Sequence, residues 1–416
     1  MSLHPNPARA LLLVLASLLV SSAVPRSQGT AFSLVRRDGS VVLGQPSALA
    51  VKDGGARLAF ATPSGVVDLA FGDIVAIHAA GPDAAGSAAV LAVLVGGERI
   101  SGDLEGGDRE GEHFVVRSAS LGPVSIAVDR LEVLLFLARA TEADLPRLRV
   151  PANAPFDESC SVRARRGFDT TFGEIHRFER DGLAFAVGGG EAVATRRYDQ
   201  LAAIALRGGA PREKPGTCLL STRAGDAIEV DWLALHDDAL RIRLEGGSEI
   251  DLPLHEVAAI TPHDPATRFV SDLDPVSVDE RSYFAENAEP LYAFRRDGAV
   301  AGGPLRAAGR VYAKGLGVHS QSHLVFVVPA GAAALVGLVA IDDSVRDLPV
   351  RGDVAVHVSV DGKELFGLDS LTTALGVKSL GRIAVQPGQR VELRVDFGAG
   401  LDLGDRVDWL DLAFVR

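Results

Sequence analysis

Five aspartates in the C-terminal quarter of the sequence are the residues best suited to bind an ion or to act as acids. Asp342 and Asp343 are adjacent, and Asp402, Asp405 and Asp408 fall within seven residues. Calcium prefers several oxygen ligands, so Asp342, Asp343, Asp402 and Asp405 are candidate calcium ligands. The alternatives are a turn that Asp342 caps through its own backbone and a solvated acidic turn at 402–408. A two-carboxylate glycosidase site is disfavoured, because nothing nearby would raise the pKa of one carboxyl selectively.

No other pattern in the sequence indicates catalysis. Gly188-Gly189-Gly190 is followed by neither a lysine nor a helix pattern, so it is no phosphate loop. The serines lack a nucleophile elbow. Six histidines are scattered without metal-ligand spacing: His78, His113, His176, His236, His255 and His263. The sequence therefore predicts a protein that is not an enzyme.

The composition predicts a folded, acidic chain. Its 416 residues suffice for two to four domains, and 47% of them are hydrophobic, enough to bury a core. The net charge of −12 argues against nucleic acid, whose phosphates require a positive field. The same charge disfavours anionic membranes.

The first 29 residues are predicted to be a signal peptide. Arg9 precedes an eleven-residue apolar run from Ala10 to Val20, and small residues suited to cleavage follow. As a helix this run spans about 16 Å, roughly half a bilayer core. We expect an extracytoplasmic protein, located in the periplasm, at the cell surface or in the medium, with no transmembrane segment after cleavage. An exported chain permits a Cys160–Cys218 disulfide; two buried thiols are the alternative.

The sequence between residues 30 and 263 contains a repeated pattern. One β unit is predicted four times, at 30–80, 88–138, 158–207 and 216–263. Each unit ends on an apolar residue, two mostly polar residues and an aliphatic run, as in Phe71-Gly72-Asp73-Ile74. Period-two alternation before each ending indicates strands with one buried face. The units are predicted to be small antiparallel barrels or curved sheets, faintly similar to the Sm-like barrel.

Longer strands are predicted from Phe269 to Arg416. Asp361-Gly362 is a strong two-residue hairpin signal, and Pro387-Gly388 marks another turn. Six or more antiparallel strands at this spacing predict a β-sandwich. The fold class is therefore all-β, with four barrel-like repeats followed by a sandwich.

Four sequence blocks follow one another in this region. Tyr312 to His319 has the pattern Y-x-K-G-L-G-V-H, Leu338 to Asp343 is a hydrophobic strand with two aspartates, Val358 to Lys363 is a V-x-x-D-G-K hairpin, and Asp405 to Leu412 is a closing block with Asp408-Trp409. These four blocks, in this order, resemble the NPCBM family of carbohydrate-binding modules. The resemblance implies a galactose-binding-like jelly roll that binds glycan at loops on one end, in some members with structural calcium. Arg406 stands where the family usually has histidine.

The resemblance supplies candidate ligand-binding residues: Tyr312, Lys314, His319, Arg406, Asp408 and Trp409. His319 could donate to a sugar hydroxyl, or be hydrogen-bonded into the edge of the sandwich. Trp409 could stack on a sugar, or pack in the core. Tyr312 and Lys314 are expected at the rim of the site.

Three functional hypotheses follow. The first is an exported, non-catalytic glycan-binding protein whose repeats serve as a spacer or as a platform for other envelope proteins. The second is a structural scaffold of the cell envelope that binds no sugar. The third, an enzyme accessory or degenerate hydrolase, ranks last because the repeats show no acid–base pair.

Overall fold

The protein is an all-β molecule in the computed structural model, which describes residues 31–52, 55–81, 88–212, 216–283 and 292–416. The strands form antiparallel sheets, and none of the sheets in these ranges closes into a barrel. The predicted signal peptide lies outside the described residues. Within the described ranges, no helix has the length and apolar character to cross a membrane.

Four groups of strands, here called the N-terminal units, precede residue 263. Each unit contains a short 3-10 helix at a predicted ending, followed by a strand: Phe71–Asp73, Val128–Arg130, Tyr198–Gln200 and Leu254–Glu256. The strands of units one and two are β1 Phe32–Arg36, β2 Val41–Lys52, β3 Gly55–Thr62, β4 Gly65–Ala70, β5 Ile74–Ala79, β6 Val90–Leu94, β7 Arg99–Gly107, β8 His113–Ser118, β9 Gly122–Ala127 and β10 Leu131–Phe136. Those of units three and four are β11 Glu158–Arg163, β12 Phe168–Phe178, β13 Gly182–Val187, β14 Val193–Arg197, β15 Leu201–Leu206, β16 Cys218–Thr222, β17 Ala227–Val230, β18 Trp232–His236, β19 Ala239–Arg243, β20 Glu249–Pro253 and β21 Val257–Pro262. A linker between units two and three holds a 3-10 turn at Glu142–Asp144 and one helical turn at Leu145–Leu148.

The N-terminal units are open sheets. In the first unit the strand order is β5-β1-β2-β3-β4, and the described pairings of β4 involve β3 alone. Units two and three repeat this order, whereas in unit four β18–β20 form a separate sheet. The expectation of barrel-like units is wrong, because the first and last strands of each order stay unpaired with each other. The descent of the four units from one repeat, and the Sm-like resemblance, stay predictions.

The final strands join the units. β5 pairs with β21, where Ile77 faces Ile260, and β10 pairs with β15, where Leu134 faces Ile204. Every residue of β5 is buried. A strand covered on both faces needs a continuous apolar run rather than alternation, which accounts for the aliphatic endings in the sequence.

The two cysteines are buried free thiols. Cys160 lies on β11 and Cys218 on β16, both in the core of the N-terminal units. Burial raises the pKa of both thiols. Of the two alternatives that the sequence leaves open, the structure has thiols rather than a disulfide.

The C-terminal region is a two-layer β-sandwich, as predicted. One sheet has the order β24-β27-β35-β29-β32, with β22 and β33 at its sides, and the other has the order β23-β28-β34-β30-β31. Between them lies a core that includes Trp409, Phe326 and Phe414. The strands are β22 Thr267–Phe269, β23 Ser277–Glu280, β24 Arg295–Arg296, β25 Leu305–Ala307, β26 Arg310–Tyr312, β27 Gly315–His319, β28 Ser322–Val327, β29 Ala334–Ile341, β30 Val354–Val360, β31 Lys363–Leu371, β32 Lys378–Ser379, β33 Ile383–Ala384, β34 Arg390–Phe397 and β35 Arg406–Val415. Further 3-10 turns lie at Glu245–Gly247, Val270–Asp272, Asp343–Val345 and Thr373–Leu375.

A shared core joins the sandwich to the first N-terminal unit. Val35 and Val75 of that unit belong to the same apolar cluster as Leu410, Ala413 and other residues of the sandwich. The N-terminal units thus cover the outer face of the sheet that contains β35. Burial of this kind is the main favourable term in folding, so the two parts stabilise each other.

A completely buried His–Asp pair crosses the shared core. His78 of β5 places Nδ1 2.9 Å from the Val311 carbonyl oxygen and Nε2 2.6 Å from Oδ2 of Asp411. Neither side chain of the pair is accessible to solvent. Asp411 has a φ of 46°, a left-handed conformation that aspartate tolerates better than most residues. Its other carboxylate oxygen has no partner among the described residues, so His78 is the principal compensation for this buried carboxylate.

We predict that His78→Ala strongly destabilises the full chain. Removal of one partner leaves the Asp411 carboxylate buried without compensation, which costs about 3–5 kcal/mol of unfolding free energy. Urea denaturation of the intact protein measures this loss. His255→Ala is the control, because the His255 side chain is 73% exposed. Equal stability of the two variants would show that the pair contributes little.

Candidate functional site

One end of the sandwich, here called the loop end, collects most of the polar loops. Ile341 pairs with Val407, His319 with Arg406, and Val354 with Phe397. These pairings place the segments 319–321, 342–353, 372–377 and 398–405 at the same edge. Leu403 is 52% exposed there, so solvent reaches this end.

His319 lies at the centre of the loop end. Its ring stacks on Tyr292, with 4.8 Å between ring centroids and an interplanar angle of 23°. Nδ1 lies 2.9 Å from the Ser320 carbonyl oxygen, which makes Nδ1 the protonated nitrogen of a neutral ring. Burial lowers the pKa of His319, and the Ser320 carbonyl opposes the shift. Nε2 is left as an acceptor for a ligand hydroxyl.

Arg406 and Asp402 lie beside His319. Arg406 is the first residue of β35 and pairs with His319 of β27. Its Nη1 donates to the Ser344 hydroxyl at 3.0 Å. A carboxylate oxygen of Asp402 accepts from the backbone N–H of Tyr283 at 3.1 Å. All three polar side chains are half-buried. The loop end therefore offers donors, acceptors and an aromatic pair, which is the mixture that a sugar with hydroxyls and an apolar ring face can use.

Asp405 positions the loops of this end. It is completely buried, accepts from the Ser320 hydroxyl at 2.6 Å, and accepts from the Asp353 backbone N–H at 3.2 Å. Burial raises the pKa of Asp405 to about 6, although both hydrogen bonds favour the charged form. Asp405 thus connects three segments without being open to a ligand.

The other predicted ligand residues lie away from the loop end. Tyr312, Asp408 and Trp409 are 2%, 0% and 1% exposed. The Trp409 ring belongs to the core between the sheets, which leaves no face for sugar stacking. Lys314 is paired with Asp272 at 2.7 Å and with Asp297 at 2.9 Å. These residues build the sheet and its surroundings in this conformation.

The predicted calcium ligands do not form a ligand set. Asp342 accepts from the backbone of Ser344 and so caps the 3-10 turn, and it also accepts from Arg306. Asp343 accepts from Ala308 and Gly309. Within the described ranges, no group of three or more His, Cys, Asp and Glu side chains is arranged to hold a metal ion. In this conformation Asp342 and Asp343 are engaged by backbone N–H groups, and calcium binding stays a prediction.

Asp408 lies beside Asp342 within the sandwich. Its carboxyl group is completely buried, and burial together with the neighbouring Asp342 carboxylate raises the pKa of Asp408 well above its usual range. Two adjacent buried carboxyl groups cannot both ionise at low cost, so the surroundings of Asp408 favour its protonated form.

Sequence reasoning missed the two tyrosines of the loop end. Tyr292 stacks on His319, and Tyr283 meets Phe397 edge-on at 5.1 Å. The chain has only four tyrosines, and these two stand shortly before the Y-x-K-G-L-G-V-H block. The sequence around the two tyrosines shows no strand periodicity. This absence could have indicated that they lie in loops, where binding residues are common.

The fold and the loop end define a two-layer antiparallel β-sandwich with polar loops gathered at one end. Residues 267–415 form an NPCBM/NEW2 domain. The match covers the sandwich and does not extend to the N-terminal units. No curated protein matches the sequence.

Solved structures with similarity to the chain include CBM51 modules. The CBM51-2 and INT domains of ZmpB from Clostridium perfringens are 24% identical, with a TM-score of 0.32 over 43% of this chain and 36% of that one. A CBM51 of Clostridium perfringens GH95, in complex with methyl-galactose, is 16% identical, with a TM-score of 0.31 over 36% of this chain and 99% of that one. Tandem CBM51 modules of a Streptococcus pneumoniae family 98 glycoside hydrolase are 13% identical, with a TM-score of 0.31 over 92% of this chain and 88% of that one. The domain match, rather than these scores, identifies the sandwich.

We predict that Asp405→Asn flattens the pH dependence of stability. The folded-state pKa of about 6 lies above the ordinary value of 3.8, so the stability that Asp405 contributes is present below about pH 4 and is lost as pH rises through about 6. Thermal melting of the full chain between pH 4 and pH 7 measures the effect. Asp369→Asn, at an exposed position of β31, is the control, and a wild-type pH profile in Asp405→Asn would contradict the prediction.

Proposed function

We propose that the protein is an exported, non-catalytic carbohydrate-binding protein that holds its glycan at the loop end of the C-terminal sandwich. The NPCBM/NEW2 domain at residues 267–415 supports carbohydrate binding. The N-terminal signal in the sequence supports export to an extracytoplasmic location. The N-terminal units act as a spacer or a platform for other envelope proteins.

The observation that carries the proposal is the half-buried cluster of Tyr292, His319, Arg406 and Asp402 at the loop end. The N-terminal units cover the outer face of the β35 sheet through the shared core and leave the loop end exposed, as the 38% exposure of Leu401 shows. A sugar ring can lie against the aromatic pair, while His319 and Arg406 meet its hydroxyls. Tyr312, Asp408 and Trp409 are not part of this proposed site, because they are buried.

The absence of catalysis in the proposal rests on how the carboxylates are used. Asp405 is buried and hydrogen-bonded, and Asp402 is bound to a backbone N–H. Hydrolysis of a glycosidic bond needs two carboxyl groups that flank one bond, one of them an available acid. The two aspartates are committed to holding loops instead.

A scaffold function without sugar binding is the second candidate. Leu43 on β2 and Val66 on β4 are 60% and 67% exposed. Exposed apolar residues on a sheet favour contact with another protein. This surface belongs to the first N-terminal unit, so it is compatible with glycan binding by the sandwich.

We predict that Tyr292→Ala and His319→Ala each weaken saccharide binding by the full chain about tenfold, equivalent to about 1.4 kcal/mol. Tyr292→Ala removes the stacking surface, and His319→Ala removes both the ring and an acceptor. A glycan array identifies a ligand, and isothermal titration calorimetry then measures affinity. The intact chain is required, because the sandwich shares its core with the first unit.

His323→Ala is the matched control for the loop end. His323 lies on β28 of the same sandwich, is 37% exposed and pairs with Glu392, so its loss should leave saccharide affinity unchanged. If no neutral saccharide binds the wild type, or if all three variants bind equally well, the loop-end proposal is wrong.

A further inference from the structure

A large cleft separates the N-terminal units from the sandwich. Its volume is about 900 Å³, within the range of pockets that bind small molecules. Three walls enclose it: the edge of unit two with its linker helix, the β16–β17 hairpin of unit four, and the sandwich segment 294–314. The cleft is thus distinct from the loop end and exists only in the joined chain.

Basic side chains are concentrated around this cleft. Seven arginine and lysine residues line it, against five aspartate and glutamate residues, although the whole chain has a net charge of −12. A positive region on an acidic protein is not expected from composition. Such a region attracts anions, whereas the acidic remainder of the surface repels them.

Three of the acidic residues are neutralised by internal ion pairs. Lys314 bridges Asp272 and Asp297, and Arg99 pairs with Glu142. Although burial opposes the charge on Lys314, the two aspartates raise its pKa. These pairs cancel charges of both signs, and Arg149 and Arg296 are likewise paired with Glu132 and Asp274. The positive character of the cleft therefore rests mainly on the remaining arginines.

The remaining two acidic residues are also engaged. Glu229 contacts Nε2 of His263 at 2.8 Å. Asp226 is buried, accepts from the Ser118 hydroxyl at 2.6 Å and from the Ser101 backbone at 2.9 Å, and burial raises its pKa. Four of the five carboxylates are therefore held by ion pairs or buried hydrogen bonds, and Glu229 is compensated only when His263 is protonated.

Arg295 supplies a positive charge that no described residue pairs. It lines the cleft, is half-buried on β24, and makes no ion pair or hydrogen bond through its side chain with any described residue. A guanidinium presents a planar fork of donors that matches carboxylate or sulfate oxygens. Its donors are available to a ligand.

Two further arginines reinforce this charge. Arg223 donates to the carbonyl oxygens of His255 and Ala80, both at 2.7 Å. Burial lowers the pKa of Arg223, and it also lowers the pKa of Arg306 despite the nearby carboxylate of Asp342. Both arginines are desolvated in the cleft wall, where an incoming anion would stabilise them.

Apolar surface lies next to the charges. Phe294 lines the cleft with its ring half-buried, packed against the sandwich core and with the Arg296 guanidinium 6.0 Å from the ring centroid. Leu91, Val93 and Leu219 belong to the opposite walls. An apolar ring face beside guanidinium donors suits a ligand with both a pyranose ring and an acidic group.

We propose that this cleft is a second binding site, which takes an oligosaccharide through a carboxylate or sulfate group. Arg295 binds the oxyanion, and Phe294 contacts the sugar ring beside it. The choice of a saccharide rests on the proposed function, whereas recognition of the oxyanion rests on the cleft alone. Uronic acids and sulfated sugars share this chemistry.

Binding of three hexasaccharides to the full chain tests the proposal: hexagalacturonate, a sulfated carrageenan hexasaccharide and neutral galactohexaose. We expect at least one charged probe to bind more tightly than the neutral one, with affinity that falls as salt rises. Arg295→Gln should weaken the charged probe about tenfold. Ala224→Trp, which keeps every charge and fills the cleft wall, should weaken it as well.

Two controls separate the cleft from the loop end. Arg166→Gln removes an exposed arginine of unit three and should leave all affinities unchanged. Tyr292→Ala should weaken neutral saccharides but leave charged ones bound. Melting temperatures of all variants establish that each is folded.

The cleft proposal is overturned if neither charged probe binds, if Arg295→Gln binds the charged probe like wild type, or if Tyr292→Ala alone abolishes that binding. If neither charged probe binds but the neutral hexasaccharide still does, the loop-end function is unaffected. Charged binding that depends on Arg295, without any neutral binding, supports the cleft and removes the loop-end proposal.

Discussion

The contact between His78 and Asp411 is the interaction on which the arrangement of this molecule depends. The two residues are 333 positions apart in sequence, and their bond is completely buried. Around it, Tyr312 packs against the His78 ring with 4.2 Å between centroids, and the shared apolar core surrounds the pair. A buried charge that is hydrogen-bonded in only one geometry fixes orientation more strictly than apolar packing, which is non-directional.

This fixed orientation determines which surfaces of the sandwich remain available. The N-terminal units cover the outer face of the β35 sheet, so that face is unavailable to a ligand. The loop end lies away from the contact and stays exposed, and the cleft forms where the units and the sandwich diverge. Both proposed sites are therefore consequences of one docking geometry. The loop end is left uncovered by the N-terminal units, and the cleft is formed between these units and the sandwich.

Local patterns predicted local structure well. The Asp361-Gly362 pair forms the predicted turn between β30 and β31, with φ values of 48° and 78°, because such residues accept the left-handed conformation that a tight hairpin requires. The four aliphatic endings form the last strand of each unit, namely β5, β10, β15 and β21, because a strand buried on both faces requires a continuous apolar run. Contacts between distant segments could not be predicted. Nothing in the surroundings of His78 indicates a partner near the C-terminus, and nothing near Tyr292 indicates that it stacks on His319.

The same distinction explains why most residues of the recognisable sequence pattern did not mark the site, His319 and Arg406 being the exceptions. Tyr312 packs on His78, Lys314 bridges two aspartates, and Trp409 fills the core. Such residues are specified by the fold, since each has several fixed neighbours that tolerate few replacements. Tyr292 and Asp402 in loops, and Arg406 at the first position of β35, are only half-buried, so packing constrains them less. A fold signature therefore identifies the scaffold of a binding protein more readily than its ligand, which has to be sought at the exposed loops and at the contact between domains.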